Sequence, residues 1–139
     1  MMREFLDANM LFTAAHNPHD KALFLIQLTA SNAFKLHTSA YAREEAERNI
    51  SAKYPGSLSG FKQPLKSIMV IPVTNLPADC PEILPDKDAQ IYAAAVYCRA
   101  THLLTGDIEH FGPLMNHPEM RDGMIVLTVA DFLDYLLRK

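Results

Sequence analysis

The sequence predicts an α/β domain, a mostly parallel five-stranded sheet flanked by helices on both faces, three layers in all. Two observations carry this. Short apolar or β-branched runs alternate with stretches of helical periodicity, as a parallel sheet requires when each crossover is a helix. Three aspartates also stand where an apolar run or a helix meets a loop, in Phe5-Leu6-Asp7-Ala8-Asn9, Leu84-Pro85-Asp86-Lys87-Asp88-Ala89 and Leu103-Leu104-Thr105-Gly106-Asp107. In an open α/β sheet, ligands bind at the carboxyl ends of strands. A chain of 139 residues can build one sound core, so 1–139 is read as a single domain.

Taken in order, Arg3 to Leu6 is a short strand ending at Asp7, followed by a helix-capable stretch through Ala15. His16-Asn17-Pro18-His19-Asp20 is a turn, and Asp20 is placed to cap a helix reaching Ala30. Phe34 to Thr38 alternates apolar and polar residues as a strand does. Ser39 opens a helix to Lys53, in which Glu44 and Arg48 have the favourable order for a surface ion pair. Tyr54-Pro55-Gly56-Ser57 breaks the chain, and Leu58 to Lys66 reads as a short helix or loop. Ser67 to Val73 is a buried strand. A connection with Pro77, Pro81 and Pro85 follows, and Asp86 is placed to cap a helix whose core face is Ile91, Ala94, Ala95 and Cys98. His102 to Thr105 is a strand ending in Gly106-Asp107, where glycine allows a tight turn. A turn-rich stretch from Gly112 to Gly123 leads to the strand Met124 to Leu127. Thr128, with Asp131 three residues on, opens a last helix, Val129 to Leu137, as a variant capping box.

Composition narrows the function. Hydrophobic residues make up 49% and the mean hydropathy is near zero, which suits a globular protein and argues against disorder. No apolar run is long enough to span a bilayer, and the strand-like start leaves no room for a signal peptide, so no membrane is expected and the cytoplasm is the expected location. A net charge of −3 cuts against a simple electrostatic nucleic-acid binder. Cys80 and Cys98 are expected as free thiols, Cys98 in the core, since no zinc spacing is present.

Carboxylates gathered in one crevice repel, and a hard divalent cation is the usual remedy. Asp7, Asp88 and Asp107 are the candidates, with a fourth acid from the Glu-rich helix, either Glu44 or Glu45. Without a cation they should titrate as a coupled set with at least one raised pKa. Taken singly, each aspartate is more often a turn former or a helix cap, and a glutamate on a charged helix is a solvated group about half the time. Together they are harder to dismiss.

The order and local words resemble the PIN-domain ribonucleases, including toxins of toxin–antitoxin pairs. The matching pieces are Phe5-Leu6-Asp7-Ala8-Asn9-Met10-Leu11, Thr38-Ser39-Ala40-Tyr41 running into Glu44-Glu45 with Arg48-Asn49, Lys87-Asp88-Ala89-Gln90-Ile91-Tyr92-Ala93-Ala94-Ala95, and Thr105-Gly106-Asp107. The resemblance covers nearly the whole chain. It implies a PIN-like fold and a tetrad of Asp7, Glu45, Asp88 and Asp107 holding Mg²⁺ or Mn²⁺, with Glu45 favoured over Glu44 by register from Ser39. Asn9 and Thr105 match positions that bond to the acids or the metal shell, and Glu109 stands where some members carry an extra acid. The implied activity is metal-dependent endoribonucleolytic hydrolysis of RNA. The implied partners are an RNA substrate, a small antitoxin and a second copy in a homodimer.

The rival within the same fold is a PIN-like module that binds RNA or protein without cutting. A phosphatase with an Asp-x-Asp pair is excluded, because the residue two beyond Asp7 is Asn9. The six histidines do not cluster. His16 and His19 are expected exposed, while His37 and His110 fall near the crevice. Lys87, Arg43 and Arg48 are surface residues that could rim a phosphate site. Tyr41, Tyr92 and Tyr97 are expected as packing groups.

Overall fold

The computed structural model describes residues 2–17, 19–29, 34–72, 80–115 and 123–138. Five strands, β1 (Met2–Leu6), β2 (Phe34–Ser39), β3 (Ile68–Ile71), β4 (His102–Leu104) and β5 (Ile125–Leu127), form one sheet in the order β3-β2-β1-β4-β5. Every pairing is parallel, with Phe5 opposite His37 and Leu103. The α-helices among the described residues are α1 (Ala8–His16), α2 (Lys21–Leu28), α3 (Ala40–Lys53), α4 (Leu58–Leu65), α5 (Asp86–Tyr97), α6 (Ile108–Phe111) and α7 (Val129–Leu137). Phe5, Leu6, Leu103 and Leu104 at the centre of the sheet are fully buried. Each contributes roughly 1.5–3 kcal/mol by leaving water, which anchors the strand ends that carry the acids.

The caps follow their chemistry. Asp20 accepts from the Ala22 N–H at 2.8 Å, Ser39 from Ala42 at 3.1 Å and Thr128 from Asp131 at 3.1 Å. Each supplies an oxygen to a backbone donor that the first helical turn leaves unpaired. On α5 the expected cap is displaced by one residue: Pro85 is the N-cap and Asp86 the first helical residue, with no side-chain cap bond. Proline's fixed φ starts the helix here without a capping side chain. The surface pair on α3 is Arg43–Glu47 at 3.8 Å rather than Glu44–Arg48.

Two expectations of burial are corrected. β3 is an edge strand, and Met69 is 61% exposed; an apolar run does not reveal whether a strand has one neighbour or two. Cys98 is half-buried, packing against the edge of the core where it closes α5, with its thiol donating to the Ala95 carbonyl at 3.3 Å. Among the described residues, neither Cys80 nor Cys98 forms a disulfide. Leu58–Leu65 resolves the helix-or-loop alternative in favour of a helix, anchored by the buried Phe61. Pro18, Ala30, Val73, Pro77 and most of the Gly112–Gly123 stretch lie outside the described residues.

One buried polar contact had no signal in the motifs. Glu4 is fully buried beside His102, whose Nδ1 lies 3.2 Å from Oε1 and 2.9 Å from Oε2, the first with hydrogen-bond geometry. Burial holds the Glu4 carboxyl above its ordinary range against the lowering effect of His102. The His102 ring is packed in turn against Phe132 of α7 at 5.2 Å.

Candidate active site

Starting from β1, the sheet grows through β2 and β3 on one side and then reverses to place β4 and β5 on the other. The crevice between the carboxyl ends of β1 and β4 is therefore the topological switch point, where such sheets hold ligands. Asp7 follows β1 directly, and Thr105-Gly106-Asp107 follows β4.

Asp7 is 4% exposed. Its Oδ1 accepts from the Ala8 N–H at 2.6 Å, and its Oδ2 accepts from the Thr105 hydroxyl at 2.7 Å. Desolvation nonetheless pushes its pKa up to about 6, with repulsion from Asp88 and Asp107 adding to the rise. The Thr105 hydroxyl also accepts from the Asp107 N–H at 3.0 Å, so one side chain ties the first acid to the backbone of the last. Asn9 accepts from the Gly106 N–H at 3.3 Å and so braces the turn that leads to Asp107. Gly106 does not have positive φ, unlike Gly123. A Cβ there would lie 2.9 Å from the Met10 methyl, the end of a flexible side chain that would have to move aside.

Asp107 caps α6 through the His110 N–H at 3.1 Å and binds the His110 Nδ1 through Oδ2 at 2.8 Å. That hydrogen bond raises the His110 pKa. The same Nδ1 lies 3.3 Å from Asp88 Oδ2. Asp88, in the first turn of α5, has its pKa raised by burial and then by repulsion from Asp107. Two acids showing the raised pKa values expected of a crowded set is what like charges in a partly dry crevice produce.

The second acid comes from α3. Glu45 is 7% exposed and pairs with the Lys87 ammonium. Glu44 is exposed and lines a separate hollow with Glu47 and Arg48. Asp7, Glu45, Asp88 and Asp107 all line one cleft of about 240 Å³, together with Asn9, Phe12, Asn49, Lys53 and Lys87. The structure thus places the four acids that the motifs and the resemblance singled out along one cleft, with Asp88 and Asp107 grouped with His110 at ligand distance and Asp7 and Glu45 outside that group. Two roomier hollows lie elsewhere without such convergence.

Other expected positions differ. Glu109 is exposed and does not line the cleft; its charge acts on His110. His110 is at the site, whereas His37 points to another hollow with Lys35 and Lys66. His16 is half-buried, stacked on Tyr54, and not exposed as its turn-flanking position suggested. Tyr92 packs in the core, but Tyr97 is 59% exposed. Sequence reasoning missed Phe12 and Lys53 as cleft residues and gave Asn49 no role. The signal was present: Glu45, Asn49 and Lys53 recur every four residues on one face of α3.

The donor set fits a hard divalent cation. One ligand atom from each of Asp88, Asp107 and His110 lies within 4.8 Å of the others, and carboxylate oxygens are the donors that Mg²⁺ and Mn²⁺ take.

No protein-family model matches the chain, and no curated protein matches it significantly. Solved structures do. A chain of the crystal structure of VapBC2 from Rickettsia felis bound to a DNA fragment from its promoter aligns with a TM-score of 0.65 and 16% identity, covering 91% of this chain and 98% of that one. A chain of the 2.2 Å structure of VapBC-1 from nontypeable Haemophilus influenzae aligns with a TM-score of 0.59 and 14% identity, covering 93% and 99%. The fold is the PIN-like α/β fold that the motifs implied.

Proposed function

We propose that this protein is a divalent-metal-dependent endoribonuclease that hydrolyses RNA phosphodiester bonds at Asp7, Glu45, Asp88 and Asp107, and that it serves as the toxin of a toxin–antitoxin pair. The single observation that carries the chemistry is the convergence of these four acids in one cleft at the switch point of the sheet. The biological role is supported by likeness in fold to chains of VapBC toxin–antitoxin structures. A small antitoxin covering the cleft and a homodimer belong to the same reading, as does a chain that acts as one domain from end to end. Among the described residues, no helix is long and apolar enough to cross a membrane.

The four acids would hold Mg²⁺ or Mn²⁺, with the His110 ring nitrogen favouring Mn²⁺ where it joins them. When bound, the cation supplies a nucleophile at neutral pH and neutralises charge on the phosphate and the departing oxygen. The protein's own groups do the positioning. Thr105 fixes the orientation of Asp7 and the backbone of Asp107. His110 holds Asp107 toward Asp88. Lys87 neutralises Glu45 and stands at the mouth of the cleft, where its ammonium can pass to a phosphate oxygen.

Replacing Asp7 by Asn keeps the shape of the side chain and removes its charge. The variant should fold and lose metal-dependent RNA cleavage by at least about a hundredfold, the scale of losing one positioned catalytic group. Full activity of Asp7→Asn in Mg²⁺ or Mn²⁺ would overturn the site.

A further inference from the structure

A second hollow lies away from the acids and shares no residue with their cleft. It is built on β2 and β3. Lys35 is the second residue of β2, and Lys66-Ser67 lead into β3, so both lysines stand at the amino end of the parallel sheet. The acids stand at its carboxyl end. The hollow measures about 430 Å³, within the range of small-molecule pockets. Phe34, Leu36, Ile68 and Met69 give it apolar wall, and among the described residues no carboxylate lines it.

Its polar groups lack partners. Lys35 and Lys66 are exposed and form no ion pair among the described residues. Strand alternation places His37 on the same face as Lys35, about 6.6 Å further along β2, and level with Met69 of β3. The His37 ring lines the hollow, yet the residue is only 5% exposed and its Nδ1 has no hydrogen-bond partner. A buried nitrogen in that state has given up a hydrogen bond to water without replacing it. Burial, and then the charges of Arg3 and Lys35, hold the ring below its ordinary pKa. The carbonyls of Glu4 and Lys35 temper the fall without reaching Nδ1 in hydrogen-bond geometry. A neutral ring still keeps one N–H to donate. Cations crowding a desolvated ring are unfavourable until an anion joins them.

We infer that this hollow binds a small phosphate monoester, with the phosphate between Lys35 and Lys66 and beside the His37 ring, and the organic body against Met69. A monoester carries nearly two charges at neutral pH and three acceptor oxygens at one end. That matches two ammonium groups, the exposed Ser67 hydroxyl and an imidazole N–H. A carboxylate brings one charge and two oxygens, which leaves one lysine unanswered. Lysines act as point charges that suit a phosphate without demanding a planar fork. The apolar walls leave room for an organic body that inorganic phosphate lacks. None of these residues belongs to the acid cleft, so the inference stands apart from the nuclease reading.

The test uses the full chain in EDTA, so that no metal draws phosphate to the acids. Phenyl phosphate, inorganic phosphate, benzoate and phenol are titrated by calorimetry and followed in the ring ¹⁵N signals of the six histidines. His37→Gln identifies the His37 signal. Phenyl phosphate should bind with a Kd of about 1 mM or tighter and move that signal. Inorganic phosphate should do the same more weakly, and phenol should do neither. Lys35→Gln and Lys66→Gln should each weaken phenyl phosphate about tenfold or more. Both lysines are exposed, so the variants should keep the wild-type Tm, and they decide the matter by calorimetry even where His37→Gln fails to fold. No saturable binding of phenyl phosphate, binding indifferent to both lysine substitutions, or equal affinity for benzoate overturns the inference. Inorganic phosphate binding as tightly as phenyl phosphate overturns it too, since the hollow would then be a bare anion site.

Discussion

Asp7 sits in a conflict between two requirements. It is buried among other acids, and it must be ionised to hold a cation. Its carboxyl is pushed up to about 6 from 3.8, so the folded protein binds that proton more tightly than the unfolded chain. The stability this contributes is fully present below pH 3.8 and is lost as pH rises through about 6. Above that, the metal-free fold carries a desolvated charge costing about 3 kcal/mol for a shift of roughly two units. In EDTA, Asp7→Asn should therefore be more stable than wild type at pH 7.5 by about 1–3 kcal/mol, with the gap closing by pH 4. Denaturant unfolding at several pH values checks this, and a gap independent of pH would refute it. Asp7 and Asp107 were legible because each follows an apolar run and Asp88 because it falls where a loop enters a helix, whereas Glu45 was singled out from Glu44 only through the resemblance, by register from Ser39. The Thr105 bond to Asp7 was legible only through family resemblance. The Glu4–His102 contact was not legible at all, because a lone glutamate within a strand gives no sign of which face it points to.

At the level of elements, caps and periodicity carried most of the information. Asp20, Ser39 and Thr128 each sit where a short polar side chain meets an apolar-periodic run, and each caps its helix. What the local pattern lacked was lateral context, which is why β3 was expected to be covered and is instead an edge, and why Tyr97 was expected to pack and faces solvent. The end of α5 shows a strained position that the sequence does not advertise. Arg99 has φ 59°, the left-handed region where a Cβ is unfavourable and where helices commonly place glycine. Its N–H bonds to the Val96 carbonyl at 3.0 Å and the next N–H to Ala95 at 3.0 Å, so the turn is held despite the strain. Arg99→Gly should stabilise the protein by about 1 kcal/mol, or about 3 °C in Tm, without affecting cleavage. A fall in Tm would show that the arginine side chain contributes more than its backbone costs.

For the whole molecule, the topology explains why distant residues meet. Reversal of strand order between β1 and β4 opens the crevice, β1 and β4 end in it, and α3 and α5 deliver Glu45 and Asp88 across it. The order of motifs along the chain implied this, because a parallel sheet aligns the ends of all its strands on one side. Under the proposed function, a protein of net charge −3 would meet RNA past Lys53 and Lys87, which stand among the walls of the cleft that holds the four acids. On that same proposal, those four carboxylates form a metal-dependent cutting centre. The most direct measurement is calorimetric titration of Mg²⁺ and Mn²⁺ into wild type and Asp107→Asn, with each sample assayed on a mixed RNA pool. Wild type should bind the metal and cut, and both properties should be lost together in the variant. Metal binding and cleavage that survive in Asp107→Asn would contradict it.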